Sequence, residues 1–160
     1  MFRIGQSTDI HQLVEKRKLI LGGVEIESPK GCLAHSDGDA LLHAIGESII
    51  GALAKGDLGT HFSDEDVNNE GRSSLEILLE IKKMMDYEQY QISNIDSLII
   101  IEEPKIKPYI ELMKKKIANC LDIEENQINI KATRGEKIGF IGRKEGIVAQ
   151  AVTMLIKDEL

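Results

Sequence analysis

The sequence lacks the features of several protein classes. No apolar run approaches the roughly 18 residues of a membrane-spanning helix, and we expect no leader segment because no charged-then-apolar stretch opens the chain. The two cysteines, Cys32 and Cys120, form no Cys-x-x-Cys motif, which indicates reduced thiols and a cytoplasmic protein. Because Cys32 is close in sequence to His35, it is either a metal ligand or, as we favour, a small buried apolar residue.

Positive charge is scarce relative to negative charge. The chain has 20 lysines and arginines against 27 acidic residues, a net charge of −7, and no basic block. This argues against a nucleic-acid partner and, with no long apolar run, against a membrane partner. An anionic small molecule stays compatible with this charge, because a metal ion and a helix start can reverse the field locally.

Aromatic residues are few and tryptophan is absent. They make up 4% of the chain, so leucine, isoleucine and valine must fill the core, and a hydrophobic fraction of 42% is ample for that. A length of 160 residues predicts one domain spanning residues 1–160.

Three of the four histidines lie in two short stretches that also contain aspartates, residues 9–11 and 34–43. Residues two apart on a strand point to the same face, so Asp9 and His11 project together. In the helix predicted after residue 38, His43 lies off the apolar stripe and faces a cleft. One carboxylate and two imidazoles are the ligand set of a catalytic zinc with an open fourth position. Asp-x-His pairs also occur by chance, so a purely structural interpretation stays open.

The segment before this helix has the character of an anion site. Ser36-Asp37-Gly38-Asp39 is typical of a helix start, although Asp or Ser there is usually only a cap. His35 and Ser36 lie where backbone N–H groups and the helix dipole favour a phosphate. Farther on, residues 61–66 form either a solvated loop or a loop that covers a ligand, with Asp57 holding a sugar hydroxyl or a second metal. His61 has no assigned role.

Apolar periodicity predicts interspersed strands and helices. The predicted strands are residues 3–11, the hairpin 18–21 and 24–26, 92–101, 128–132 and 146–156; the predicted helices are residues 38–55, residues 73–85 with a capping box from Ser73 to Glu76, and one beginning at Pro108. We expect an α+β two-layer sandwich, with a mixed or mostly antiparallel sheet and helices on one face. The last strand would leave Ile147, Ala149, Ala151 and Val152 uncovered, so we expect sheets of neighbouring subunits to pack together.

Five motifs, in this order along the whole chain, resemble those of the 2-C-methyl-D-erythritol 2,4-cyclodiphosphate synthase family. They are Asp9-Ile10-His11, Ala34-His35-Ser36-Asp37-Gly38-Asp39, His43, Gly56-Asp57-Leu58-Gly59 and Glu136-Lys137-Ile138-Gly139-Phe140. The resemblance implies a lyase of the non-mevalonate isoprenoid pathway. Such an enzyme cyclises 4-diphosphocytidyl-2-C-methyl-D-erythritol 2-phosphate to the 2,4-cyclodiphosphate and releases CMP.

The resemblance also implies the assembly and the metals. It implies a homotrimer with active sites between subunits and Zn²⁺ on Asp9, His11 and His43. A second divalent ion, Mg²⁺ or Mn²⁺, would sit on the substrate diphosphate, with Glu136 contacting the diphosphate through it.

The family pattern further assigns substrate contacts and two catalytic residues, His35 and Arg134. Residues 35–36 would hold the phosphate end, residues 57–59 the erythritol hydroxyls and residues 133–136 the diphosphate. Residues 62–66 would form a mobile loop, residues 101–107 the cytosine pocket of the adjacent subunit, and Arg143 would lie in a cavity on the trimer axis. The implied substrate-binding residues are Asp9, His11, His35, Ser36, Asp57, Leu58, Gly59, Phe62, Asp64, Asp66, Ile101, Pro104, Lys105, Lys107, Thr133, Arg134, Gly135, Glu136, Phe140 and Arg143.

The chain departs from the family pattern at three places. Arg134 replaces a threonine that would stabilise phosphate, and its longer side chain either contacts phosphate or points elsewhere. Phe62-Ser63-Asp64 lacks the usual proline of the loop, and Thr8 replaces a bulkier apolar residue.

Two other functions use the same residues. A zinc phosphohydrolase would activate water on the same ligands. A trimeric regulatory module would bind cytidine nucleotides without turnover.

Overall fold

The structure, a computed structural model, describes residues 1–63, 67 and 70–157. These residues contain seven β-strands. The strands are β1 (Phe2–Glu15), β2 (Leu19–Leu21), β3 (Val24–Ile26), β4 (Lys30–Cys32), β5 (Gln91–Ile100), β6 (Ile128–Thr133) and β7 (Gly146–Ile156). Five of them form one sheet in the order β4-β1-β7-β5-β6, and β2 and β3 form the separate predicted hairpin. β7 pairs antiparallel with both β1 and β5, whereas β6 runs parallel to β5. The predicted mixed sheet is therefore confirmed.

Three long helices and several short ones connect the strands. The helices are α1 (Ala40–Ala52), α2 (Leu58–His61), α3 (Ser74–Tyr87), α4 (Ile110–Leu121) and α5 (Gly139–Gly142), with 3-10 turns at Lys107–Tyr109 and Glu125–Gln127. Among the residues described, no helix is long and apolar enough to cross a membrane.

Helix α1 packs directly on β1 and β7, at the centre of the sheet. A Cβ placed on Gly5 would lie 1.8 Å from the backbone oxygen of Ser48, so only glycine permits this close approach of strand and helix. On β7, the hydroxyl of Thr153 lies 2.6 Å from that of Ser48, and both residues are fully buried. This packing fixes α1 relative to the strand that carries Asp9 and His11.

The prediction that all four apolar residues of β7 need cover from another subunit is wrong for three of them. Ile147, Ala149 and Ala151 are buried on the helix side of the sheet, where α1 of the same chain covers them. Only Val152 lies on the opposite face, where it is 43% exposed. Strand residues alternate between faces, and the continuous apolar run hid this alternation.

Asp39 ties the β2–β3 hairpin to the start of α1. Its carboxylate is fully buried and accepts hydrogen bonds from the backbone N–H groups of Leu42, Gly22 and Gly23 at 2.7–3.0 Å. It therefore caps the helix and holds the glycine turn of the hairpin. Burial raises the pKa of this carboxyl to about 6, against the opposing effect of the N–H donors.

The predicted capping box at the start of α3 does not form as expected. Ser73 occupies the cap position, but its side chain makes no capping hydrogen bond. The carboxylate of Asp37 accepts from the backbone N–H of Ser74 instead, at 2.9 Å. The first turn of α3 is thus capped by the loop that precedes α1.

Cys32 is a fully buried core residue, as favoured from the sequence. Burial raises the pKa of its thiol to about 12, so the thiol stays protonated. It lies outside the Asp9–His11–His43 group, and the ligand interpretation of Cys32 is abandoned.

Candidate functional site

Asp9, His11 and His43 come together where β1 passes the start of α1. Their ligand atoms all lie within 4.8 Å of one another. The Asp9 carboxylate oxygen Oδ2 is 2.9 Å from His11 Nε2 and 3.3 Å from His43 Nδ1, and those two nitrogens are 3.4 Å apart. The juxtaposition predicted from residues 9, 11 and 43 is therefore confirmed.

The chemistry of this group fits a divalent cation. Asp9 Oδ2 is buried and has no aligned hydrogen-bond donor among the residues described, although two imidazole nitrogens lie beside it. Burial alone would raise the pKa of Asp9, but the nitrogens of His11 and His43 outweigh burial and hold the pKa below its usual range. Three donor atoms that converge on one point, one of them a buried carboxylate oxygen, suit a metal ion better than a hydrogen-bond network.

A cavity of about 640 Å³ opens over Asp9, His11 and His43, the candidate metal-ligand group. Two of the predicted phosphate contacts, His35 and Ser36, line this cavity together with the three ligands. His35 Nε2 is buried without a hydrogen-bond partner among the described residues, so a ligand oxygen in the cavity would satisfy it.

The far wall of the same cavity contains Leu58, Gly59 and Phe62. Asp57 lies next to this wall but does not line it, and its carboxylate caps α2 by accepting from the N–H and hydroxyl of Thr60. These bonds hold the pKa of Asp57 below its usual range. Asp64 and Asp66, predicted for the loop, lie outside the described residues.

A second pocket, of about 260 Å³, collects the predicted cytosine and diphosphate residues. It is lined by Ile101, Pro104, Lys105, Ile106, Lys107, Ala132, Thr133 and Arg134. All except Ala132 fall in the ranges 101–107 and 133–136 predicted from the sequence. Among the described residues, none lines both this pocket and the cavity over Asp9, His11 and His43.

The remaining predicted residues follow the second pocket along the chain. Gly135 donates its N–H to Glu102 at 3.0 Å, and Glu136 adopts a positive φ of 52° in the turn after it. Phe140 is 40% exposed on α5, and Arg143 pairs with Glu145 at 2.9 Å. None of these four lines either pocket within the described part of the chain.

Sequence reasoning missed Glu47 and Ser74. Glu47 accepts the N–H of Leu58 at 3.2 Å and a short hydrogen bond from Ser7, so it fixes the wall of the cavity. Its position four residues after His43, on the same helix face, is a signal that was available. Ser74 Oγ lies 2.9 Å from His43 Nε2, and no local pattern reports that contact because it crosses from α3 to α1.

Comparisons with known proteins identify the family of the chain. The family model described as the YgbB family matches residues 2–156. The chain belongs to the YgbB family. A relative, the 2-C-methyl-D-erythritol 2,4-cyclodiphosphate synthase of Alkaliphilus metalliredigens (strain QYMF), is 55% identical over 150 residues, 94% of each chain.

Solved structures have the same fold as this YgbB-family chain. The bifunctional IspDF of Campylobacter jejuni superposes with a TM-score of 0.95 at 36% identity, covering 99% of this chain and 43% of that longer one. The Plasmodium falciparum IspF in a complex with CDP superposes with a TM-score of 0.86 at 37% identity, covering 99% of this chain and 97% of that one. These matches confirm the α+β fold and the resemblance seen in the sequence.

Proposed function

We infer that the protein is a lyase that converts 4-diphosphocytidyl-2-C-methyl-D-erythritol 2-phosphate to the 2,4-cyclodiphosphate, with release of CMP, in the non-mevalonate isoprenoid pathway. The main support is the Asp9–His11–His43 group, which lines the same cavity as His35 and Ser36. The named relatives of the chain support the same activity.

The reaction needs no nucleophile from the protein. An oxygen of the substrate's 2-phosphate attacks the β-phosphorus, and a new phosphorus–oxygen bond forms as the bond to the bridging oxygen breaks. CMP leaves with that electron pair. Attack of one anion on another is slow in water, so the protein's task is to hold the two ends in line and offset their charge.

The chain's own side chains divide that task. Asp9, His11 and His43 would hold Zn²⁺, which when bound supplies a Lewis acid for a phosphoryl oxygen. We propose that His35 and Ser36 hold the attacking phosphate and that Leu58 and Gly59, beside Asp57, hold the erythritol hydroxyls.

The second pocket would bind the cytidine diphosphate end. Residues 101–107 would offer backbone groups for the base. Thr133 and Arg134, which line the pocket, would face the diphosphate together with residues 135–136 that follow them. Glu136 would hold the second ion, Mg²⁺ or Mn²⁺. Arg134 replaces the threonine of the family pattern, so a planar, permanently charged donor would contact the phosphate in place of a neutral hydroxyl.

We propose a homotrimer whose active sites lie between subunits. The cavity and the second pocket are lined by different residues of the chain, so a neighbouring copy can bring one against the other. The sheet face opposite α1 leaves Phe2, Ile4 and Ile10 at least 60% exposed, and this apolar face is suited to contact between subunits. We place the enzyme in the cytoplasm, where Cys32 and Cys120 stay reduced.

Reaction in ¹⁸O-labelled water separates cyclisation from hydrolysis on the same ligands. Cyclisation predicts no label in the phosphate product, because the attacking oxygen belongs to the substrate. Label in the product would identify a phosphohydrolase, and binding of CDP without any turnover would identify a regulatory module.

A further inference from the structure

The two ring nitrogens of His43 face different groups. Nδ1 points to Asp9 and His11, within 3.4 Å of each. Nε2 lies 2.9 Å from the hydroxyl of Ser74, and that hydroxyl makes a short hydrogen bond to Asp37 Oδ1. Imidazole, hydroxyl and carboxylate thus form one continuous chain behind the metal-ligand group.

Counting protons along this chain fixes the direction of each bond. A serine hydroxyl has one proton to donate, and an ionised carboxylate can only accept. Ser74 therefore donates to Asp37 and accepts the proton on Nε2 of His43. In the neutral imidazole, which is the form that binds a metal ion, Nδ1 is then left with its lone pair directed at the point where Asp9 and His11 converge.

Asp37 is itself held by the backbone. Its Oδ2 accepts the N–H of Ser74 at 2.9 Å, and its Oδ1 accepts the N–H of Asp39 at 3.1 Å. Its own N–H donates to the carbonyl of Arg72 at 3.2 Å. Since Ser74 is 1% exposed, bulk water cannot replace its hydroxyl without moving α3. Asp37 is half-buried, and its backbone contacts hold its carboxylate against Ser74.

Ser36 is a second hydroxyl near the same nitrogen, at 3.2 Å from His43 Nε2. The ring nitrogen has one proton, and the shorter contact goes to Ser74. The Ser36 hydroxyl, which lines the cavity, is then available to a ligand.

We propose that Ser74 and Asp37 are positioning residues that lock His43 as the Nε2–H tautomer, with Nδ1 as the metal-binding atom. The proposal rests on the metal site of the proposed function. Metal-bound histidines commonly donate their second N–H to such a partner, and loss of the partner typically weakens metal binding by about 10- to 100-fold. Among the described residues, the three-ligand group and the lining of the cavity include neither Ser74 nor Asp37.

Zinc affinity, measured by competition with a chromophoric chelator on the metal-free full-length protein, tests this. Ser74→Ala is expected to raise the zinc dissociation constant by about 10- to 100-fold, and Asp37→Asn by about tenfold. The matched control is Ser73→Ala, which deletes a hydroxyl one residue away that makes no capping bond and should leave zinc affinity unchanged.

The outcomes distinguish failure of the metal assignment from failure of the role proposed for Ser74 and Asp37. If the wild-type protein binds no zinc, both the metal assignment and the positioning role of Ser74 and Asp37 are contradicted. If the wild type and Ser74→Ala bind zinc equally tightly, only the positioning role is contradicted.

Nitrogen-15 NMR of the zinc-loaded wild type gives a second test that does not depend on the folding of any variant. The positioning role of Ser74 and Asp37 predicts a protonated Nε2 and a zinc-bound Nδ1 on His43. Zinc on Nε2 would overturn the proposal.

Discussion

At the scale of single residues, the site is organised by the two faces of one strand. Odd-numbered residues of β1 face α1, so Asp9 and His11 meet His43, while Ile10 between them faces away and is 60% exposed. The period of two was enough to predict the Asp9–His11 pair from sequence. The contact of Ser74 with His43 was not predictable, because it depends on how α3 packs on α1.

His43→Ala should abolish most turnover. Loss of one of three ligands removes the charge stabilisation of several kcal/mol that a bound metal ion supplies, so we expect CMP release to fall by about a thousandfold. His61→Ala is the matched control, since His61 is exposed on α2 and contacts only the Lys55 carbonyl among the hydrogen bonds described. Equal CMP release by both variants would refute the role of His43.

Arg134→Ala tests the departure from the family pattern. A charged hydrogen bond to phosphate contributes about 1.5–3 kcal/mol, so turnover should fall by roughly 10- to 100-fold. The exposed Lys115 on α4 provides the control Lys115→Ala, which removes a positive charge elsewhere. If steady-state rates of the two variants match, Arg134 points away from the substrate.

At the scale of elements, Asp39 joins two pieces of structure that the sequence pattern treats as separate. The helix start at residues 36–39 and the glycine turn of the hairpin were both predicted, because caps and glycine turns have local signals. Their connection through one buried carboxylate has no such signal. The start of α3 is the reverse case. The local sequence pattern predicts a capping box at Ser73, but the carboxylate of Asp37, from another loop, makes the capping hydrogen bond.

Asp39→Ala should destabilise the fold strongly. It removes a helix cap worth about 1 kcal/mol and leaves the N–H groups of Gly22 and Gly23 without their acceptor, at about 1–3 kcal/mol each. Urea unfolding should therefore show a loss of at least 3 kcal/mol. Ser73→Ala, at a cap position without a capping bond, should change the free energy of unfolding by less than about 0.5 kcal/mol; similar losses in both variants would contradict the role of Asp39.

At the scale of the whole molecule, one sheet face is covered by helices and the other carries exposed apolar residues. The α+β class and the mixed sheet were predictable from the alternation of strand and helix patterns. The strand order β4-β1-β7-β5-β6 was not, since periodicity does not say which strands pair. The sequence also does not distinguish the covered face of β7 from the uncovered face, because both have apolar residues. Ile147, Ala149 and Ala151 lie on the covered face, and Val148 and Val152 lie on the other.

Ile4→Asp should disrupt the proposed trimer. Ile4 is 70% exposed on the uncovered face of β1, and a charge buried there on assembly would be unpaired. Sedimentation velocity should show a trimer for the wild type and a smaller species for the variant, with CMP release lost in parallel because the sites would lie between subunits.

Leu112→Asp is the matched control for that experiment. Leu112 is 48% exposed on α4, away from the sheet, so its variant should stay trimeric and active. A wild type that sediments as a monomer at micromolar concentration would remove the basis of the trimer proposal.

The proposed mechanism requires that Asp9, His11 and His43 hold a cation that promotes an intramolecular cyclisation. Phosphorus NMR of the purified protein, incubated with the cytidyl substrate, zinc and magnesium, tests this requirement. We expect the resonances of a cyclic diphosphate to appear together with CMP, and to be absent when a chelator removes the metals. A linear phosphate product, or cyclic product formed at the same rate with the chelator present, would contradict this mechanism.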